Sequence, residues 1–219
     1  AYTNRPENVS MDGNGNLAIT VQREDYTLEG STRHYTSGRI HSSGLHSFGA
    51  PVRIEARMRT PVEEGLVPAF WTLGRNYENG SGPVAWPDSG EIDILEVANA
   101  PRTANYHIHG PDDENPLDQT ANRDINLSGS HTHSSKLVSD FHVYGVDIFA
   151  DRINFRFDDK TRFTLTRQEY EAAGGQWEGV FDQEQYLLLN IGSLHSWVGE
   201  PTFSNRPQLL VDWVRVYGM

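Results

Sequence analysis

Residues 86–96 read WPDSGEIDILE and place three carboxylates, Glu91, Asp93 and Glu96, in an otherwise apolar run. Side chains of a β-strand alternate between faces, so Glu91 and Asp93 share one face and Ile92 points to the other. Strict alternation would send Glu96 to the apolar side. One extra residue at Ile94–Leu95, a β-bulge, restores the parity and returns Glu96 to the face of the other two carboxylates. Three like charges on one face repel, so at least one group keeps its proton near neutral pH. An ionised carboxylate beside a protonated acid, about 5 to 5.5 Å apart when configuration is retained, is what glycoside hydrolysis uses. Asp93, lying between them, would hydrogen-bond the ionised partner and hold the two protonation states apart. Without its flanks the triplet also suits calcium ligation or a charged edge strand.

A face of this kind needs strands around it, and the chain supplies them. NLAITVQRE (16–24), PVRIEARMR (51–59), DFHVYGVDIF (140–149), RINFRFDD (152–159), QYLLLNIG (185–192) and LLVDWVRVY (209–217) carry β-branched or aromatic residues at period two. DGNGN (12–16) and FDDKT (157–161) have turn chemistry, and only RQEYEAAGG (167–175) reads as a short helix closed by a glycine pair. Many short strands with almost no helix predict an all-β sandwich or jelly roll. At 219 residues, with no repeat and no linker, a single domain over 1–219 is expected. In PVRIEARMR, Val52, Ile54, Ala56 and Met58 form a core face, while Arg53, Glu55, Arg57 and Arg59 must look into solvent or a wet groove.

Composition narrows the partners. Lys and Arg total 18 against 30 Asp and Glu, a net charge of -12, which argues against a nucleic-acid backbone and leaves a neutral polymer open. The absence of cysteine removes disulfides, thiolate nucleophiles and Cys-type zinc sites together. No apolar run approaches the ~20 residues that cross a bilayer, so no membrane partner is expected. The opening AYTNRPENV lacks the regions of a signal peptide, as a mature or trimmed chain would. SGSHTHSSK (128–136) reads as a solvated loop.

GLVPAFWTLG (65–74) and WPDSGEIDILE (86–96) together resemble the core signature of glycoside hydrolase family 16, in its laminarinase-like branch of endo-β-1,3-glucanases. The resemblance continues, in order, through RIEARMRTP (53–61), HIHGP (107–111), DFHVYGVD (140–147) and VDWVRVY (211–217). It implies a β-jelly roll of two curved antiparallel sheets with a concave substrate cleft, and retaining endo-hydrolysis of β-1,3-glucan of the laminarin type. Glu91 matches the nucleophile, Glu96 the general acid/base and Asp93 the assisting carboxylate. Trp86 and Trp71 match sugar-stacking tryptophans, with Phe70 in the core. Arg53 matches the arginine of a GRFEAR-like block and is a candidate donor to a substrate hydroxyl, with Arg57 behind it. His109 matches a cleft histidine, with His107 weaker on the same face, and zinc is not expected at HIH for want of a third ligand. Asn190 matches an asparagine before a Gly-rich loop.

Two departures stand out. That loop reads GSLHSWVGEP, so Trp197 takes the stacking position only if the inserted residues allow it. The N-terminal strand segment that precedes AYTNRPENV in this branch is apparently absent, which would leave a sheet edge unpaired. The convex-face calcium of the family uses an acidic residue of that segment with an aspartate matching Asp212, so calcium is doubtful here, and the chemistry requires no cofactor. The resemblance further implies a monomer acting outside the cell, where such polymers are met. Mixed-linkage β-1,3-1,4-glucan cleavage or transglycosylation within the family, and a non-catalytic glucan-binding jelly roll, are the alternatives; Leu95, the extra residue, favours the laminarinase-like branch.

Overall fold

The computed structural model describes residues 1–80, 83–112, 124–193, 197–203 and 205–219. In chain order its strands are β1 (Val9–Met11), β2 (Leu17–Thr20), β3 (Gln22–Leu28), β4 (Ser31–Thr36), β5 (Arg39–His41), β6 (Val52–Arg59), β7 (Leu66–Gly74), β8 (Glu91–Glu96) and β9 (Thr103–Pro111). They continue as β10 (Asp124–Thr132), β11 (His142–Ile148), β12 (Arg152–Phe157) and β13 (Lys160–Thr166), then helix α1 (Arg167–Ala172), β14 (Gln185–Ser193) and β15 (Gln208–Gly218).

Two antiparallel sheets form a jelly-roll sandwich. The outer sheet has the order β1-β2-β15-β6-β11-β12-β13, the cleft sheet β10-β9-β8-β7-β14-β5, and β3-β4 is a separate hairpin. Period-two patterning explains the layering. Ile54, Ala56 and Met58 of β6 and Ile92, Ile94 and Leu95 of β8 are buried in one cluster between the sheets. Tyr106 of β9 stacks on Phe155 of β12 at 5.1 Å, joining the layers. Gly129 of β10 lies under the Phe163 ring of β13, where a Cβ would fall 2.5 Å from the ring, so only glycine lets this edge of the cleft sheet approach the outer one.

Local chemistry closes the elements as the sequence predicts. Asp12 Oδ1 accepts from the backbone N–H of Asn14 and Asn16 in the β1–β2 turn. Thr166 and Glu169 make a reciprocal capping box on α1, which ends before Gly174 at φ +90°. The stretch 128–136 departs from expectation. Its first half is strand, because Ile125, Leu127 and Gly129 alternate with polar residues on β10 and pair with β9 in register. A mostly polar strand with one apolar side is easily misread as a loop.

Candidate active site

β8 lies between β7 and β9, so both of its edges are hydrogen-bonded and its side chains are held from both sides. The chain enters it through Gly90 at φ +74°, where a Cβ would sit 2.8 Å from Val180 Cγ1. The expected bulge is present. Asp93 faces His107 and Glu96 faces Asn105, so three steps along β8 match two along β9. The β7 pairing shifts at the same place, with Trp71 opposite Asp93 and Ala69 opposite Glu96. Ile92, Ile94 and Leu95 are fully buried in the core. Glu91, Asp93 and Glu96 together line one pocket of about 150 Å³ on the opposite face, with Trp71, Asn190 and Arg39.

The neighbours set the charges. Trp86 Nε1 donates to Glu91 Oε2 at 3.1 Å, and the Trp86 and His109 rings lie 5.7 Å apart. His109 Nδ1 sits 2.8 Å from Asp124 Oδ2, and its Nε2 is 3.5 Å from Asp93 Oδ2. The second contact is ion-pair distance and leaves that buried Asp93 oxygen without a hydrogen-bond partner among the described residues. His107 Nε2 lies 3.7 Å from Glu96 Oε2, and its Nδ1 is 3.3 Å from Asn126 Oδ1.

Burial pushes the Glu91 carboxyl well above the ordinary carboxylate range, and Asp93 and Glu96 add to it, while His109 and the Trp86 N–H oppose them. Burial and then Asp93 raise Glu96 to about 8, with His109 opposing. Burial alone would depress His109, but the Asp124 and Asp93 contacts and the Asp93 and Glu91 charges outweigh it and hold its imidazolium up at about 10. His109 is therefore a fixed cation beside two of the three carboxylates. The site as a whole combines a protonated acid, a polarised carboxylate and an aromatic wall, which is the equipment for acid-assisted displacement at an acetal carbon.

Of the other expected residues, Trp71 and Asn190 meet directly, Trp71 Nε1 donating to Asn190 Oδ1 at 2.8 Å, and Phe70 is core. Trp86 is 44% exposed at the cleft wall. Trp197 is 58% exposed and lies outside the carboxylate pocket; the altered loop that carries it includes residues 194–196, which are outside the described residues.

Arg53 is a correction. β6 belongs to the outer sheet, and Arg53 points away from the cleft, where it grips Asp147 through Nε at 2.6 Å and Nη2 at 3.1 Å. Alternation correctly separated it from the core but could not say which sheet its strand joined. Arg57 shares that outward face and pairs with Asp212 at 2.7 Å. Asp212 is thus ion-paired with Arg57 on that face.

Three site residues went unread in the sequence. Arg39 of β5 sits opposite Asn190, with its guanidinium 5.2 Å from the Trp71 ring and 4.3 Å from that of Tyr2. A lone arginine in a three-residue strand gives no periodic signal. Asp124 and Asn126 of β10 had one, the alternation of polar residues with Ile125 and Leu127.

Comparison with known proteins agrees with this geometry. The profile of Glycosyl hydrolases family 16 matches residues 1–215. A beta-glucanase of Rhodothermus marinus is 32% identical over 218 residues, covering 97% of this chain and 71% of that protein. The glucan endo-1,3-beta-glucosidase A1 of Niallia circulans is 29% identical over 99% of this chain, which spans only 31% of that longer protein. The X-ray structure of an endo-beta-1,3-glucanase from Pyrococcus furiosus superposes with a TM-score of 0.84 at 34% identity, over 99% of this chain and 79% of that one. Sequence, sheet order and carboxylate placement converge: this chain belongs to glycosyl hydrolases family 16 and is a glycoside hydrolase.

Proposed function

We propose that the chain is an endo-acting β-1,3-glucanase of the laminarin-cleaving type, working with retention of configuration. The observation that carries this reading is the bulge that returns Glu96 to the cleft face of Glu91 and Asp93. The β-1,3-glucan substrate rests on the names of the Niallia and Pyrococcus relatives.

Roles follow from the neighbours. Glu91 matches the family's nucleophile and receives the Trp86 N–H, a contact that favours its ionised form and that Glu96 lacks, so we assign it the attack. Glu96, raised to about 8, carries the proton. Glu91 attacks the anomeric carbon as Glu96 protonates the departing glycosidic oxygen; Glu96, now a carboxylate, takes a proton from water, whose oxygen displaces Glu91. Asp93 and His109 position the pair and balance its charge. Trp86 and Trp71 offer flat faces to sugar rings, and Arg39 and Asn190 offer polar contacts beside them. The scheme needs no metal or organic cofactor. We place the protein outside the cell, as a monomer whose partner is the polysaccharide and neither nucleic acid nor membrane.

Laminarin, lichenan and curdlan assayed side by side test the substrate. The purified chain releases reducing sugar fastest from laminarin, and Glu91→Ala and Glu96→Ala each lower turnover by about 10³-fold or more with the fold intact. Unimpaired turnover in either variant removes the assignment. Fastest cleavage of lichenan supports the mixed-linkage reading, and binding without turnover supports the non-catalytic glucan-binding one.

A further inference from the structure

The His-rich stretch after β10 takes no part in the cleft, yet the fold gathers it into a second constellation. We propose that His133, His142 and Asp158 form a zinc site that pins the edge of the cleft sheet to the outer sheet. His133 directly follows β10, His142 opens β11, and Asp158 lies in the β12–β13 turn. One ligand atom from each of the three lies within 4.8 Å of the other two.

The site is built, not merely crowded. Asp158, at φ +47°, is fixed by its own N–H to Val143 O at 2.9 Å and by the Val143 N–H to its Oδ1 at 3.0 Å. Its Oδ2 lies 2.8 Å from His142 Nδ1. The His142 side chain is only 8% exposed, and its Nε2 is buried with no hydrogen-bond partner among the described residues. A buried polar atom of that kind costs free energy unless something satisfies it. The His133 ring stands edge-on to that of His142 at 4.7 Å. Ser135 holds the His133 ring at Nδ1, with its backbone N–H donating at 3.3 Å and its Oγ 3.1 Å away, which leaves Nε2 as the nitrogen available to a ligand.

Two imidazoles and a carboxylate are a zinc set, with the fourth position left to solvent; calcium and magnesium want more oxygen. Packing against Phe157, 5.3 Å from His133 and 4.9 Å from His142, accounts for the ring positions. It does not account for the buried Nε2 of His142, left without a hydrogen-bond partner among the described residues while Nδ1 of the same ring is held by Asp158.

Glu91, Asp93 and His109 also lie within ligand distance of one another, so the experiment has to separate the two groups. The full chain, stripped with a chelator, is titrated with Zn²⁺ by calorimetry and followed by thermal unfolding. We expect one equivalent whose affinity falls at least tenfold in His133→Gln and in Asp158→Asn and is unchanged in Glu91→Gln. At a hundredfold excess over Kd the unfolding midpoint rises by about 5 to 10 °C. His133 is only partly buried, so its variant keeps the test open even if His142→Gln fails to fold. No bound zinc, binding that survives both His133→Gln and Asp158→Asn, or binding lost only in Glu91→Gln overturns the proposal.

Discussion

Replacing Glu96 by glutamine ends turnover and makes the protein more stable. Burial and Asp93 hold the Glu96 acid at about 8 against an ordinary 4.5. Between those values the folded chain keeps a proton that the unfolded chain has released. The resulting stabilisation is complete below pH 4.5 and is lost as pH climbs towards 8. By pH 7 the loss spans about 2.5 pH units at about 1.36 kcal/mol each, roughly 3.4 kcal/mol. The side chain is 21% exposed, and solvent screening reduces the figure to about 2 to 3 kcal/mol. The amide has nearly the same shape and stays neutral at every pH, so it escapes this cost; the 3.7 Å contact to His107 that it gives up is worth less than about 1 kcal/mol. Urea unfolding of both proteins at pH 4.5 and pH 7.5 reads the effect. The expected result is near-equal midpoints at the lower pH and a higher midpoint for the variant at the upper one, with unchanged m-values. Equal differences at both pH values, or a less stable variant at pH 7.5, would refute the claim that Glu96 is strained by burial and like charge.

Two further perturbations separate the sheets and the charges. Arg53→Ala strips a two-pronged contact from Asp147, whose side chain is 5% exposed, while Arg156 stays 3.4 Å away; a stability loss of about 1 to 3 kcal/mol is expected in chemical denaturation, with kcat/KM on laminarin changed less than about twofold. A raised KM in a normally stable variant would return Arg53 to the substrate. His109→Asn removes the cation that lowers Glu91, so the acidic limb of the kcat/KM profile moves to higher pH by about one unit or more. An unmoved limb contradicts the charge balance assigned to His109.

The carboxylate face was legible because it depends on local rules. Glu91, Asp93 and Glu96 share a strand, and parity plus one inserted residue settles their common side without any knowledge of the fold. Arg53 shows the limit of that reasoning. Alternation put it opposite Ile54, but two sheets each have an outward face, and the choice between them rests on which strands β6 pairs with, β11 and β15. Such pairings are non-local. Arg39 failed for a different reason, since a three-residue strand is too short to show a period. The β10 residues Asp124 and Asn126 were hidden by composition, because a strand of Ser, Asn, Gly and Thr has the residues of a loop and the spacing of a sheet.

The same bulge that aims the acid also stabilises the strand that carries it. β8 sets three carboxylates on its cleft side, and burying Glu96 among them costs about 2 to 3 kcal/mol near neutral pH. On its other side the bulge turns Ile94 and Leu95 both inward, so that with Ile92 three fully buried aliphatic side chains anchor the strand where regular alternation would bury two. At about 1.5 to 3 kcal/mol for each such side chain, the third alone offsets most of the electrostatic cost of Glu96 near neutral pH. Pairing with β7 and β9 on both edges prevents the strand from relieving the repulsion by fraying. A partly dehydrated acid therefore persists in the cleft because the residue that re-aims it adds a side chain to the core directly beneath it.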